Sequence, residues 1–267
     1  MLRSTALFLL QSVELTGILS GMESIFSTEK KGFGLLIVVF SKSKTAPIES
    51  GIALGVIKAT FPAGNRVELV PMDGDGIFRM RNQAANVVRA DPNFAWVTHI
   101  LMLDDDIVFA PEDVYALLQS GKDLISGCYP KRQDKLEYVV NLYPGDVFAP
   151  GTGPLRAACV GTGFVLISRN CLNAIAARLP RDGERVRDPR YSEQWFTMAH
   201  WFNPDDDTGK KWWFDYFPMA AILDPDSGFV RQLSEDWWFS KLALLAGIQP
   251  YIHTNVMLKH AGGKIFG

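Results

Sequence analysis

The sequence predicts an α/β fold with a largely parallel central sheet flanked by helices. Short runs rich in Val, Ile and Leu recur between residues 34 and 130, and the first of them, "GLLIVVF", lacks the alternation of a strand that faces water on one side. Amphipathic stretches separate these runs, as in repeated strand–helix–strand units. The 267-residue chain is 48% hydrophobic and 21% charged, so it has enough apolar material for one sizeable core.

The first half of the chain alternates strands with helices. "GLLIVVF" predicts a strand buried on both faces, and "APIESGIALGVIKAT" after it has helical spacing. "RVELVPM" predicts the second strand and "FRMRNQAANVVRA" a short amphipathic helix. "WVTHILMLDDD" predicts the third strand, "APEDVYALLQSG" a helix and "DLISGCY" a fourth strand. Pro111 suits the first turn of that helix, and Gly121 suits its carboxyl end.

The second half of the chain is less regular. "ACVGTGFVLISRNCLNAIAARL" predicts a strand and then a helix. "SEDWWFSKLALLAG" predicts a helix with Ser234 as its N-cap and Gly247 as its C-cap. "QPYIHTNVMLKHAGG" predicts a closing strand that ends in His260. Residues 181–230 have weak periodicity and indicate loops and short strands.

No linker or internal repeat divides the chain after its first residues, so we expect a single domain over residues 32–267. Its nucleotide-binding half would be residues 32–132, and its acceptor and catalytic half residues 133–267. Residues 1–31 form an extension of uncertain order. The apolar run Ala6 to Leu10 in that extension is too short to span a bilayer, and no stable membrane span is expected.

Charge and cysteine content narrow the function classes. The net charge of −2 and the pI of about 6.1 exclude a broad basic surface for a nucleic-acid backbone. The three cysteines are odd in number and have no C-x-x-C spacing, which argues against a disulfide scaffold and a structural zinc site. A cytoplasmic location is therefore expected.

Three adjacent aspartates, Asp104 to Asp106, follow the apolar third strand. If the strand continues, Asp104 and Asp106 project to one side, and ligands of open α/β sheets bind at the carboxyl ends of strands. Two carboxylates there suit Mg²⁺ or Mn²⁺, which would offset their repulsion and bridge to phosphate oxygens. The alternative is a solvated turn with one acid capping the next helix. A second run, Asp205 to Asp207, follows no strand and indicates a solvated loop.

Four stretches together resemble GT-A fold glycosyltransferases of the family-2-like, nucleotide-sugar-dependent kind. "THILMLDDDIVFAPEDVYALLQSGKDLISGCYPKR" is similar to their D-x-D segment, and "GDGIFRMRNQAANVV" to the G…RN segment before it. "VGTGFVLISRN" resembles their G-x-G-F strand. "SEDWWFSKLALLAGIQPYIHTNVMLKHAGG" resembles their E-D helix and the terminal strand that ends in His. The resemblance covers roughly residues 33–263, and it implies the same fold and activity.

The resemblance implies a metal site and a catalytic base. Asp106 would ligate Mn²⁺ or Mg²⁺ with His260, and Asp104 would reach the metal through water or contact the ribose. Asp236 would take the proton from the acceptor hydroxyl in an inverting transfer, and Glu235 would bind acceptor or shape the site. Without the resemblance, His260 is a surface histidine, and the two acids complement the helix dipole.

The resemblance also implies a set of donor contacts. Arg81 would lie near the diphosphate beside Asn82, although the pair also fits a solvent-facing helix surface. The remaining candidates for the nucleotide sugar follow strands, and they are Ser41, Asp73, Asp105 and Arg132.

Two further features have open interpretations. Gly161 and Gly163 allow either a close backbone approach beside the site or a bulge. Of Trp237 and Trp238, one is expected in the core and one against a sugar ring.

We therefore expect a metal-dependent, inverting glycosyltransferase whose donor is a nucleotide-diphospho-sugar, with a UDP- or GDP-sugar favoured. The acceptor hydroxyl would belong to a glycan, a lipid-linked sugar, a protein or a nucleobase. One alternative is a nucleotidyltransferase, but "SKSKTAPIESG" is a poor match for the Gly-rich basic loop that such enzymes place after the first strand. The other alternative is a catalytically silent carbohydrate-binding protein with the same fold.

Overall fold

A seven-stranded sheet forms the centre of the fold. The computed structural model of the chain describes residues 32–41, 47–74, 76–178, 186–187, 195–196, 214–223, 230–261 and 265–266. The strands of the sheet, in chain order, are β1 (Gly34–Phe40), β2 (Arg66–Met72), β3 (His99–Asp104), β5 (Leu124–Cys128), β7 (Pro154–Arg156), β9 (Phe164–Ser168) and β14 (Tyr251–Met257).

The sheet order is β2-β1-β3-β9-β5-β14-β7. β1 pairs in parallel with β2 and β3, whereas β9 runs antiparallel between β3 and β5, and β7 runs antiparallel at the edge beside β14. Five of the seven strands thus share one direction. The predicted α/β fold with a mostly parallel, Rossmann-like sheet is confirmed.

Short antiparallel strands surround the sheet. β6 (Val140–Asn141) pairs with β8 (Cys159–Val160), β10 (Val186–Arg187) with β11 (Trp195–Phe196), and β12 (Ala220–Leu223) with β13 (Val230–Leu233). A three-stranded sheet joins segments that are distant in sequence: β4 (Ile107–Val108), β15 (Lys259–Ala261) and β16 (Ile265–Phe266).

Within the residues that the structure describes, five helices cover the two faces of the sheet. They are α1 (Ile48–Thr60), α2 (Ile77–Ala90), α3 (Pro111–Gln119), α4 (Arg169–Arg178) and α5 (Glu235–Leu245), with a 3₁₀ turn at Pro92–Phe94. Apolar side chains of α1 and α3 pack on one face with alternate residues of β1 and β3. The side chains of α2, α4 and α5 pack on the other face. Because both faces are covered, β1, β3, β5 and β9 are mostly apolar and are buried along nearly their whole length.

Local signals explain where the helices begin and end. α1 stops at Phe61, which precedes Pro62 and is extended, as expected of a residue before proline. Pro111 opens α3, and Gly121, with a φ of 62°, follows its end. Gly247, with a φ of 82°, likewise follows α5, one position beyond the C-cap Ala246.

Two local predictions need correction. Ser234 occupies the N-cap position of α5, but its side chain does not cap the helix amides; its hydroxyl donates instead to the Asp236 carboxylate. The predicted closing strand is two strands, because the chain leaves the main sheet after Met257 and joins β4 through β15. The reason is tertiary pairing, which apolar periodicity does not encode.

None of the helices in the described ranges has both the length and the apolar character that a membrane crossing needs. The N-terminal extension and Asp205 to Asp207 lie outside the described residues, as does most of 181–230.

Candidate active site at the carboxyl edge of the sheet

The carboxyl ends of β1, β2 and β3 meet at one edge of the sheet. The Ser41 N–H donates to the Met72 carbonyl at 3.0 Å, and the Asp105 N–H donates to the Phe40 carbonyl at 3.1 Å. These bonds continue the parallel pairing one step beyond the strands. They place the loops after β1, β2 and β3 side by side, and we call this region the carboxyl edge.

The three adjacent aspartates at this edge face three different partners. β3 ends at Asp104, and a turn begins at Asp105, so the extended conformation does not continue to Asp106. Asp104 pairs with Arg81, Asp105 accepts a hydrogen bond of 2.8 Å from Ser41, and Asp106 faces Arg132 and His260. Each carboxylate therefore has a polar partner within the fold, and Asp105 and Asp106 lie in a half-buried turn.

Arg81 bridges two carboxylates from distant parts of the chain. Its Nη2 lies 2.7 Å from Asp104 Oδ1, and its Nη1 lies 2.6 Å from Glu235 Oε1. The guanidinium is buried, since Arg81 is only 2% exposed, whereas the side chains of Asp104 and Glu235 keep 31% and 17% of their surface exposed. Burial raises the pKa of Asp104, and the Arg81 guanidinium opposes that rise. The arginine thus ties the first turn of α5 to the end of β3.

His260 reaches Asp106 because of strand pairing. His260 in β15 stands opposite Ile107 in β4, and the Ala261 N–H donates to the Asp106 carbonyl at 2.7 Å. The ring atom Nε2 lies 3.3 Å from Asp106 Oδ1. The other nitrogen, Nδ1, lies 2.9 Å from the Pro130 carbonyl, which can only accept a hydrogen bond. Nδ1 therefore carries the proton, and Nε2 presents a lone pair toward Asp106.

The Asp106 and His260 pair fits a divalent cation. Burial lowers the pKa of His260, which favours the neutral ring that a metal ligand must have. The bond from Nδ1 to a carbonyl is the outer contact that metal-binding histidines use to fix their orientation. Within the described ranges, no group of three or more His, Cys, Asp or Glu side chains could hold a metal. Asp104 faces Arg81, so a direct bond from Asp104 to the same cation stays a prediction.

Tyr129 is a site residue that sequence reasoning missed. Its hydroxyl oxygen accepts a hydrogen bond of 3.2 Å from the Gly163 N–H, and its ring meets His260 edge-on at 5.8 Å. A Cβ at Gly161 would lie 2.2 Å from that oxygen, so the pair of glycines makes room for the phenol. The usable signal was a large aromatic residue directly after β5 together with the G-x-G spacing.

The E-D pair at the start of α5 divides its contacts. Glu235 is paired with Arg81, whereas Asp236 accepts from the Ser234 hydroxyl and, at 2.8 Å, from the Trp237 N–H. Burial raises the pKa of Tyr129, and the negative charges of Asp104 and Asp236 add to that rise.

The two tryptophans that follow differ in exposure. Trp238 is 1% exposed and belongs to the core, and Trp237 is only partly buried. A sugar contact by Trp237 stays a prediction.

A cavity of about 480 Å³ opens at the carboxyl edge. Its size is that of a small-molecule site. The predicted donor contacts Ser41, Asp73 and Asp105 all line it. Its remaining lining is apolar: Val39, Leu54, Leu69, Val70, Pro71 and Met72.

Asn82 has a structural partner in the chain. Its amide nitrogen lies 2.6 Å from Asp215 Oδ1, and its oxygen accepts from the Tyr216 and Phe217 N–H groups. Asn82 therefore holds residues 214–217 against α2. A second cavity of about 240 Å³ lies beside this contact. Donor contacts of Asn82 and of Arg81 stay predictions.

No protein-family model matches the chain, and no curated protein matches it. Among solved structures, the crystal structure of A197 from STIV is similar with a TM-score of 0.48 and 14% identity, over 86% of each chain. Values this low say nothing about the chemistry of either protein.

Proposed function

We propose that this chain is a metal-dependent, inverting glycosyltransferase of the GT-A type, with a nucleotide-diphospho-sugar as donor. The observation that carries the proposal is the convergence at the carboxyl edge. A cavity lined by Ser41, Asp73 and Asp105 opens where β1, β2 and β3 end, and Asp106, the residue after Asp105, pairs with His260. Arg81 ties Glu235 of the E-D pair to Asp104 at the end of β3.

The donor's nucleoside would occupy the 480 Å³ cavity. Its apolar walls suit a base, and the carboxylates of Asp73 and Asp105 suit N–H groups of the base and hydroxyls of the ribose. UDP- and GDP-sugars both offer such donors. Asp106 and His260 would hold Mn²⁺ or Mg²⁺, with phosphate oxygens completing its coordination. The cation's chemistry is to offset the charge that develops on the departing diphosphate.

Asp236 would act as the general base. The acceptor oxygen forms a bond to the anomeric carbon, and its proton passes to the Asp236 carboxylate. The bond from that carbon to the diphosphate breaks, and the nucleoside diphosphate leaves with the electron pair. The hydrogen bonds from Ser234 and the Trp237 N–H fix the orientation of the carboxylate. The proposal does not choose among four acceptor classes, which are a glycan, a lipid-linked sugar, a protein and a nucleobase.

A thermal-shift panel tests the proposal. The purified chain is heated with UDP, GDP, CDP, ADP or dTDP, each with and without Mn²⁺. A ligand at one hundred times its Kd adds about 2.7 kcal/mol, which raises the midpoint of a domain of this size by several degrees. One nucleotide is expected to shift the midpoint, and only with Mn²⁺.

The rival functions predict other results. A nucleotidyltransferase would respond to a nucleoside triphosphate and release pyrophosphate from it. A silent carbohydrate-binding protein would respond to sugars and to none of the five nucleotides.

A further inference from the structure

Arg132 stands where a cation between Asp106 and His260 would stand. Its Nη2 forms an ion pair with Asp106 Oδ2, and its Nε donates to His260 Nε2 at 3.0 Å. One guanidinium thus contacts both predicted metal ligands at the atoms that a metal would use. Arg132 belongs to the predicted donor contacts, so this position was not foreseen.

The two predicted ligands lie close enough for one cation to contact both. Nε2 of His260 lies 3.3 Å from Oδ1 of Asp106, while Nδ1 of His260 is turned to the Pro130 carbonyl at 2.9 Å. A positive group that contacts both residues stabilises the Asp106 carboxylate. The guanidinium of Arg132 makes both contacts, and Mn²⁺ or Mg²⁺ would bind the same two side chains.

The side chain of Arg132 has room to leave. It is 51% exposed, compared with 26% for Asp106 and 14% for His260. Its loop is closed at the base by the bond from the Lys131 N–H to the Glu137 carbonyl, 2.7 Å long. The backbone is therefore anchored while the side chain borders solvent, so the guanidinium can rotate away without unfolding the loop.

We propose that Arg132 occupies the cation position in the donor-free protein and competes with the metal for Asp106 and His260. The inference rests on the proposed function, since it takes the metal site as real. Its consequence is that metal alone binds weakly. A nucleoside diphosphate brings phosphate oxygens that both coordinate the metal and attract the released guanidinium, so nucleotide and metal enter together.

The test is a titration of the protein with Mn²⁺ alone. Electron paramagnetic resonance measures the concentration of the free ion at each step. Arg132→Gln keeps most of the side-chain length and removes the charge. It should bind Mn²⁺ about tenfold more tightly than the unaltered chain, because charge-assisted bonds of the competing guanidinium are lost. Adding Asp106→Asn to Arg132→Gln should remove that binding, which assigns it to this site.

Lys131→Gln is the matched control. It removes the same charge one position away, from a residue whose ion pair is with Glu137 and not with Asp106. Its Mn²⁺ affinity should stay within about twofold of the unaltered chain, because the charge of an exposed lysine is largely screened at physiological salt.

Equal Mn²⁺ affinity in the Arg132→Gln variant and the unaltered chain would overturn the inference. Weaker binding in that variant would overturn it as well. If a nucleotide still binds with Mn²⁺ in these cases, the proposed function survives. If no variant binds Mn²⁺ with any of the five nucleotides or without them, the metal site of the proposed function and this inference both fail.

Discussion

The two ends of the central strands use charged residues in opposite ways. At the amino end of β3, Arg169 gives its donors to backbone carbonyls, which are those of Val97 at 2.7 Å, Arg89 at 3.4 Å and Phe94. At the carboxyl edge, Arg81 and Arg132 give theirs to carboxylates of the site. The backbone carbonyls bound by Arg169 carry no net charge and do not attract a cationic ligand. The carboxylates at the carboxyl edge can exchange a guanidinium for another cation. From this difference we expect the amino end to contribute to stability alone and the carboxyl edge to carry the proposed chemistry.

Loss of the proposed base should give the largest effect on the chemical side. Asp236→Asn keeps the shape and the hydrogen bond from the Trp237 N–H, but it cannot accept the acceptor's proton. Transfer should fall by about 10²- to 10⁴-fold while donor binding is unchanged. Initial rates with the selected nucleotide sugar, beside its Kd, measure both. Transfer at a nearly normal rate would place the base elsewhere.

Removing the buried bridge should cost both stability and function. Arg81→Met leaves Asp104 and Glu235 facing each other without a cation, at a cost of about 3 kcal/mol or more in the free energy of unfolding. Without Arg81, which lowers the pKa of Asp104, that pKa rises further. As the pH falls through this raised pKa, Asp104 becomes protonated in the folded variant and no longer repels Glu235. The loss of unfolding free energy in Arg81→Met should therefore be smaller at acidic pH. Urea unfolding at pH 7 and pH 5 measures it, and a deficit independent of pH would contradict the ion-pair account.

The amino end carries a pH-dependent stability that is independent of the site. Burial lowers the pKa of His99, which stacks on Phe33 at 4.7 Å, from 6.5 to about 4. Below pH 6.5, His99 binds a proton in the unfolded chain but not in the folded chain. The free energy of unfolding therefore falls between pH 6.5 and 4, by at most about 3 kcal/mol.

His99→Gln removes this titration and should flatten the pH dependence of unfolding by that amount. Urea unfolding of the unaltered chain and of His99→Gln is compared between pH 7 and pH 4. The carboxylates titrate in both proteins, so their contribution cancels in the difference. Identical slopes would show that His99 is protonated at its ordinary pKa in the folded chain.

The smallest expected effect comes from the matching arginine at the amino end. Arg169→Met leaves three carbonyls without their side-chain donor and should cost about 1–3 kcal/mol of unfolding free energy. Nucleotide binding with Mn²⁺ should be unchanged, in contrast to Arg81→Met. Loss of nucleotide affinity in folded Arg169→Met would contradict the claim that the amino end contributes to stability alone.

Sequence patterns predicted most elements because their signals are local. The apolar run of β1, the proline that opens α3 and the glycine after α5 each act within a few residues. Strand direction is not local, so the antiparallel insertion of β9 between β3 and β5 could not be foreseen. The order of the motifs located the candidate site, because parallel strands share a carboxyl end.

The contacts within the site needed the fold. Asp104, Asp105 and Asp106 have similar neighbours in sequence, and only the turn after β3 separates their partners. Arg81 binds Glu235, which is 154 residues away, and the position of His260 depends on the pairing of β15 with β4. Pairings at such separations leave no mark in local composition.

The central claim is that Asp106 makes the carboxyl edge a metal-dependent nucleotide site. The most direct test is calorimetric titration of the nucleotide selected by thermal shift into the unaltered chain and into Asp106→Asn, each with and without Mn²⁺. The account predicts that the unaltered chain binds only with Mn²⁺ and that the variant, with unchanged melting behaviour, does not bind. Equal binding by the folded variant, or binding that ignores Mn²⁺, would contradict it.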